Sequence, residues 1–448
     1  MASTGQNRIR IFGISSLAAT AVLPPHQAQH RRWLGAVVAL AMGFVLTIAA
    51  TPAANAQTFQ VIHIFTGGLD GAQSHAGLTM DRAGNLYGTT AYGNVNAGTV
   101  FKLSRRGSAW LFSPLYEFTG GSDGAYPDAG VIVGPDGNVY GTTYTGGTFG
   151  DFCEYQYCGT VYRLMPPAAP PITALSPWTE TVLYSFAGGN DGANPSSTPV
   201  FDANRNLYIT TQSGGVGCVP YGCGTVIELT PTNGSWTERI LYSFQGGNDG
   251  QQPVAGLTFD QVHNLYGTTI YGGDGDCGCG AVFQLMYSGS AWSENVLHNF
   301  QGSDGAGPWG GVIFDQSGNL YGTTMSGGPG NPAGGTAFEL TPSSGRWAYT
   351  LVYGFNDDLD GPYGGLTLDA AGNLYGMTSG GGTYQQGEVF KLTRSTNGWT
   401  LTTLHDFTGG NDGGDPFGDV LIDANGNLYG TTAYGGSYSE GVVWEITP

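Results

Sequence analysis

The sequence predicts an all-β chain folded as a seven-bladed β-propeller with four-stranded blades. Three observations carry this. The phrase NLYGTT, or a close variant, occurs seven times, with its asparagines at 85, 138, 206, 264, 319, 373 and 427. The spacings are 53, 68, 58, 55, 54 and 54 residues, a period that marks a modular array. Each unit also holds four strand-like runs, separated by turns rich in Gly, Asp, Ser and Pro. Four strands repeated seven times is the arithmetic of a propeller, whereas the coils of a parallel β-helix are much shorter.

The fifth unit shows the strand order. GGVIFD (310–315) is a short apolar run that suits a crowded inner strand, A. NLYGTT from Asn319 is B, and GTAFEL from Gly335 is C. The alternating WAYTLVYGF (347–355) is the outer strand, D. Trp110, Trp178, Trp236, Trp292, Trp347 and Trp399 lead six D strands, where a broad indole fills the space between diverging blades. The array opens on a D-like strand, 59–65, and stops on a C strand, 441–446. Pairing these two closes the ring and leaves no open sheet edge between first and last blade.

Ahead of the array, residues 1–56 read as a leader. Arg31-Arg32 precedes an apolar run from Leu34 to Ala50, and Ala54-Asn55-Ala56 is a small-x-small cleavage pattern. Cleavage there leaves a single propeller domain, 57–448, with no further membrane span. An uncleaved anchor is the alternative reading. A Pro-rich insertion, 165–177, forms a stiff loop on the C–D side. The leader carries four arginines and no acid, so 14 basic residues less those four leaves 10 against 33 acids. This balance repels nucleic acid and anionic membranes, and favours neutral or cationic partners. The location expected is secreted, periplasmic or cell-surface, and the state a monomer.

The recurring GNLYGTT, GG, GTVFKL and LYxF-x-GG-x-DG elements resemble the GloVer tandem-repeat family of exported bacterial proteins. The resemblance covers nearly all of residues 58–448. The A–B hairpin, as in GLTLDAAGNLYG from Gly365, is also similar to NHL-type propeller repeats. The resemblance implies an exported propeller and implies no reaction.

Two acids recur. Asp81, Asp202, Asp260, Asp315, Asp369 and Asp423 stand four before the asparagine, with Gly134 the exception, and read as hairpin-turn residues. Asp70, Asp123, Asp191, Asp249, Asp304, Asp360 and Asp412 lie in the D–A loops, in GG-x-DG or its variants. They read as turn acids, or as a ring of cation sites for an ion such as calcium; the spacing matches no EF-hand.

In a propeller the D–A and B–C loops share one face. Aromatic residues there are the binding candidates: Tyr92, Tyr126, Tyr144, Tyr271, Trp309, Tyr363, Phe417 and Tyr434. Beside Asp, Asn and Gly they can stack on sugar rings, or simply pack against their own loops. All six cysteines fall in B–C loops. Export favours disulfides 153–158 and 218–223, while Cys277 and Cys279 are too close for an easy bridge and could form only a strained one. The histidines form no metal or catalytic pattern, and no G-x-S-x-G elbow occurs. His75 and Asp415 break the D–A pattern and are the candidates if chemistry exists.

These readings converge on a non-catalytic binding module for an extracellular glycan or surface protein. A propeller enzyme acting on polysaccharide or a lactone-like molecule is the rival, and a structural cell-surface component the third reading.

Overall fold

After its half-buried asparagine, the LYGTT part of the phrase is buried from end to end. A computed structural model describes residues 57–148, 158–168, 176, 178–218, 220–274, 277–330, 334–356 and 361–448. In it Leu86–Thr90, Val139–Thr143, Leu265–Thr269, Leu320–Thr324 and Leu428–Thr432 are B strands buried at every position. A strand covered on both faces must lie inside a stack of sheets. The described residues accordingly form seven antiparallel sheets, each ordered A, B, C, D. In blade 1 these are Thr79–Met80, Leu86–Thr90, Thr99–Arg106 and Ala109–Glu117. Blade 3 adds a short strand, Ala193–Pro195, against its B strand. No helix among the described residues is long and apolar enough to cross a membrane. The leader, most of the Pro-rich insertion, Cys153 and Asp360 lie outside the described residues.

The N-terminal strand Thr58–Ile64 pairs antiparallel with Val442–Thr447, Phe59 opposite Ile446 and Ile64 opposite Val442. It serves as the D strand of blade 7. Glu445, fully buried, locks this seam. Its carboxylate accepts from Gln60 Nε2 at 2.5 Å, Tyr429 OH at 3.0 Å, Arg105 Nη1 at 3.1 Å and Trp110 Nε1 at 3.1 Å. Arg105 and Trp110 belong to blade 1, so one carboxylate ties the first blade to the last. Such partners are what makes a buried charge tolerable.

Each hydrophobic core lies between two blades. Phe65, at the end of the N-terminal strand, packs with Leu86 and Phe101 of blade 1 and with Tyr429 and Val443 of blade 7. The glycine of NLYG makes room for this packing. A Cβ on Gly88 would sit 2.6 Å from Cζ of Phe101, its cross-strand partner. The D-strand tryptophans lean on the preceding blade: Trp110 meets Tyr429 edge-on at 5.9 Å, and Trp347 meets Tyr266 at 6.1 Å.

The two threonines of the phrase have separate tasks. The first donates its hydroxyl to a carbonyl of the next blade: Thr89 to Ala129 at 2.9 Å, Thr323 to Gly364 at 2.8 Å and Thr431 to Ala76 at 2.9 Å. The second stays within its blade, as Thr90 Oγ1 does, 2.7 Å from Thr99 Oγ1 and donating to Tyr92 O at 2.8 Å. The phrase is therefore both an inner strand and a clasp between neighbours.

The A–B hairpin is held by its aspartate. Asp81 accepts from the backbone of Ala83 and Asn85, each at 2.9 Å, from Asn85 Nδ2 at 2.7 Å and from Tyr87 OH at 3.0 Å. Burial pushes its pKa up, but these hydrogen bonds outweigh it and the carboxyl titrates below its usual range. Blade 2, with Gly134 in this place, recruits Asp136 instead. Asp136 accepts from Asn138 Nδ2 and Tyr140 OH, both at 2.7 Å.

Candidate ligand-binding site at the channel mouth

The D–A loops are shaped by the second recurring aspartate. Asp123 accepts from Thr119 N at 2.8 Å, Thr119 Oγ1 at 2.7 Å and Tyr116 OH at 3.1 Å. Asp249 repeats this with Gln245 N and Tyr242 OH, both at 2.9 Å. Asp304 and Asp412 take a histidine in place of the tyrosine, His298 Nε2 at 2.9 Å and His405 Nε2 at 3.1 Å. Asp191 accepts from Tyr184 OH and Ala187 N. Asp70 accepts from Thr66 N at 3.0 Å, with His63 Nε2 3.3 Å away, long for a hydrogen bond. These carboxylates are occupied as turn staples. Among the described residues no group of three or more His, Cys, Asp or Glu comes together to hold a metal ion, so the calcium expectation finds no ligand set there.

The D–A and B–C loops do share one face. Ala72 bridges to Tyr92, Ala125 to Thr145, Gln251 to Tyr271 and Gly414 to Tyr434. The residue beyond each bridge is commonly left-handed: Tyr126 has φ 56°, Gln252 59° and Asp415 51°. That conformation is uncommon outside glycine. It aims the N–H at the preceding blade, from Tyr126 to Ala97 O at 2.9 Å and from Gln252 to Cys223 O at 2.7 Å. Asp415, a candidate for chemistry by its sequence, has this backbone role, bonding to Gln386 O at 2.9 Å, and does not line the cavity described next.

Two residues further on, each blade places one side chain at the axis. His75, Asp128, Ser196, Val254, Trp309, Tyr363 and Phe417, one per blade, line a cavity of about 440 Å³. The A strands behind them touch backbone to backbone. A Cβ on Gly418 would fall 2.3 Å from Gly77 N, and one on Gly310 2.5 Å from Gly365 N.

The ring is asymmetric. Trp309 and Tyr363 meet edge-on at 5.6 Å, Tyr363 and Phe417 at 5.0 Å, and Phe417 and His75 at 5.4 Å. His75 Nδ1 lies 3.4 Å from Asp128 Oδ1. This makes a continuous wall from blade 5 through blades 6, 7 and 1 to blade 2. The far side sets polar groups beside Val254. Tyr144 donates its hydroxyl to Gln212 Oε1 at 2.8 Å, and Gln212 Nε2 approaches Gln252 Oε1 at 3.4 Å. Burial, then the Asp128 charge, raises the Tyr144 pKa and keeps its proton in place as a donor. Asp419 completes the lining. Its side chain opens to the channel, yet protein surrounds it, and that enclosure raises its pKa. Gly365 N donates to its Oδ1 at 2.5 Å. Among the described residues no lysine or arginine lines the cavity.

Of the aromatic residues singled out by sequence, Tyr144, Trp309, Tyr363 and Phe417 line this wall. Tyr92, Tyr126, Tyr271 and Tyr434 do not. Tyr92 and Tyr126 pack on each other at 5.5 Å, and Tyr271 and Tyr434 are exposed. Sequence reasoning passed over Asp128, Ser196, Gln212, Val254 and Asp419. A signal existed for Asp128, Ser196 and Val254: in PDAG, PSST, PVAG, PWGG and PFGD the residue directly after a shared proline differs every time.

Disulfides stiffen the neighbouring loops. Cys218 bonds Cys223, and Cys158 is also disulfide-bonded. Cys277 bonds Cys279, a pairing that the sequence left open. The intervening Gly278 adopts φ 58°, which folds the chain back and brings the two Cα atoms to 5.2 Å. Such bonds fit an extracellular protein.

A family model described as the Gloeobacter/Verrucomicrobia repeat matches residues 43–215, 156–361 and 274–448. The chain belongs to the Gloeobacter/Verrucomicrobia repeat family. No curated protein matches this repeat chain. Its fold is similar to a candidate 6-phosphogluconolactonase of Bacteroides fragilis NCTC 9343, at 17% identity and TM-score 0.48, over 79% of this chain and 87% of that one. A candidate 6-phosphogluconolactonase of Bacteroides uniformis ATCC 8492 shares 16% identity at TM-score 0.45, over 74% and 84%. The polysaccharide lyase Uly1 shares 11% identity at TM-score 0.46, over 84% and 89%. Likeness at this level bears on neither substrate nor reaction.

Proposed function

We propose that this repeat protein is an exported, non-catalytic binding module that holds an extracellular glycan at the mouth of its central channel. The asymmetric ring carries this reading. One position per blade is aromatic on one arc (Trp309, Tyr363, Phe417), polar on the next (His75, Asp128, Ser196) and apolar in blade 4 (Val254). A sugar has the same division, an apolar ring face and a rim of hydroxyls. Aromatic walls with a few placed polar groups are the usual make-up of a small-ligand site, and the cavity volume falls within the usual range. The leader pattern and the disulfides support export.

A glycan-array screen of residues 57–448 tests the reading. The expected result is a reproducible hit that Trp309→Ala abolishes. A blank array sinks it and favours a protein partner. The enzyme alternative rests on one observation, the His75–Asp128 pair in the cavity wall. Turnover of any array hit, lost on His75→Ala, would move the protein to that class.

A further inference from the structure

We propose that the channel mouth selects a cationic glycan, one bearing free amino groups, through Asp128 and Asp419 beside the Trp309–Tyr363–Phe417 arc. This rests on the glycan reading above and narrows its ligand class.

Asp419 is the observation that leads here. At its position the other blades carry Gly77, Gly130, Thr198, Gly256, Gly311 and Gly365, none of them acidic. The recurring acids staple their own turns, as Asp412 and Asp423 do within the same blade. Asp419 staples nothing in its own loop. The donor that meets it is Gly365 N of blade 6, on Oδ1. Its side chain is open to the channel. An acid that departs from the repeat, supports no turn and faces a cavity is placed to meet a ligand.

The surroundings fix the sign of that ligand. Asp128 stands on the same lining, and no lysine or arginine does. Beyond the leader the chain is strongly acidic, and a channel walled by low-dielectric protein focuses that field. Uronic or sulfated sugars would be repelled. An ammonium group gains both from the carboxylates and from the aromatic wall, whose ring faces attract cations. The hydroxyl and amide groups of Tyr144 and Gln212 match the remaining sugar hydroxyls. An amino sugar joins all of these features in one ligand.

The test is calorimetric titration of the full chain with three tetrasaccharides: a deacetylated glucosamine oligomer, its N-acetylated form and a plain glucose β-oligomer. A buffer near pH 6 keeps the amines protonated. The expected result is about tenfold or greater preference for the deacetylated oligomer, shrinking as salt is raised. Asp419→Asn should bring the ratio of deacetylated to neutral affinity close to one, and Asp128→Asn should lower it independently. Thermal melts confirm that each variant is folded. Equal affinity for charged and neutral oligomers overturns the inference and leaves the glycan reading standing. A preference that survives in both folded variants also overturns it. Binding to no glycan, here and on the array, overturns both.

Discussion

In blade 3, Ile209 stands opposite Ile227 across strands B and C, both fully buried. Blade 1 has Gly88 opposite Phe101 at the same place, and blades 4, 5 and 6 also pair glycine with phenylalanine. The volume given up on one strand is returned on the other. The pair is thus a unit of packing, which a double-mutant cycle can measure. Ile209→Gly should destabilise by about 2–4 kcal/mol through the cavity it leaves. Ile227→Phe alone should overpack and cost about 1–3 kcal/mol. The two together should recover most of both losses in a denaturant melt, and simple additivity would show that the sites do not share a space.

The A–B turns contain a second internal comparison. Gly84, Gly137, Gly318, Gly372 and Gly426 sit at φ near 80°, where blades 3 and 4 force Arg205 to 70° and His263 to 67°. A side chain in the left-handed region is strained. His263→Gly should therefore stabilise the protein by roughly 0.5–1 kcal/mol, part of the left-handed cost being returned to glycine's larger chain entropy. A lowered melting temperature would mean that the imidazole makes a contact worth more than the strain.

The outer strands pair in two ways, and these have opposite pH signatures. Glu180, Glu238 and Glu294 each face the turn aspartate of the preceding blade, Asp123, Asp191 and Asp249. Burial, then that aspartate, pushes each glutamate up to about 7. At other interfaces the preceding ring is histidine and an aromatic stacks on it: Tyr349 on His298 at 4.7 Å and Phe59 on His405 at 3.6 Å. Burial lowers both histidines despite their aspartates.

The signs follow from linkage. A raised glutamate contributes stability below its unfolded pKa and loses it as pH rises through about 7. A lowered histidine contributes above its unfolded value and loses it as pH falls through its folded pKa. The two slopes oppose each other between about pH 5 and pH 7. Replacing all three glutamates by glutamine should remove one of them. The triple variant should be more stable than the wild type at neutral pH and should lose stability on acidification, tracked by thermal melts across pH. An unchanged profile would show that these glutamates are solvated.

Much of this fold was legible because the chain repeats itself. Seven copies separate the constant positions, such as the clasping Thr89 and Thr323, from noise. The closing strand could be read from the chain's order, D-like at one end and C at the other. The site was half legible, for the opposite reason. Trp309 and Phe417 stood out as aromatics, but Asp419 and Ser196 are single departures from the repeat, and only the geometry shows that they face the axis. The recurring aspartates were legible as turn acids. Their regular spacing allowed turn acids or cation sites, and local donors such as Thr119 N and Tyr116 OH hold Asp123 in the turn. Asp136 was hidden because it takes over the task of a neighbouring position, Gly134.

The disulfides bear on the site as well as on the blades. Cys223 O accepts from Gln252 N at 2.7 Å, and Cys279 O accepts from Gly307 N at 2.8 Å. Gln252 and Gly307 each stand two residues before a member of the axial ring, Val254 and Trp309. Each cross-linked loop thus anchors the segment that aims the next blade's contribution to the cavity. The blade cores extend well beyond the cysteines: Cys223 is one member of a buried cluster that also holds Phe244, Leu265 and Phe283. Reduction of the folded protein should therefore weaken binding of an array-identified glycan several-fold while far-UV circular dichroism stays unchanged. Cys279→Ser should act chiefly through Trp309, visible as a shift in tryptophan emission. Full affinity after complete reduction would show that the D–A segments hold their aim without the cross-links.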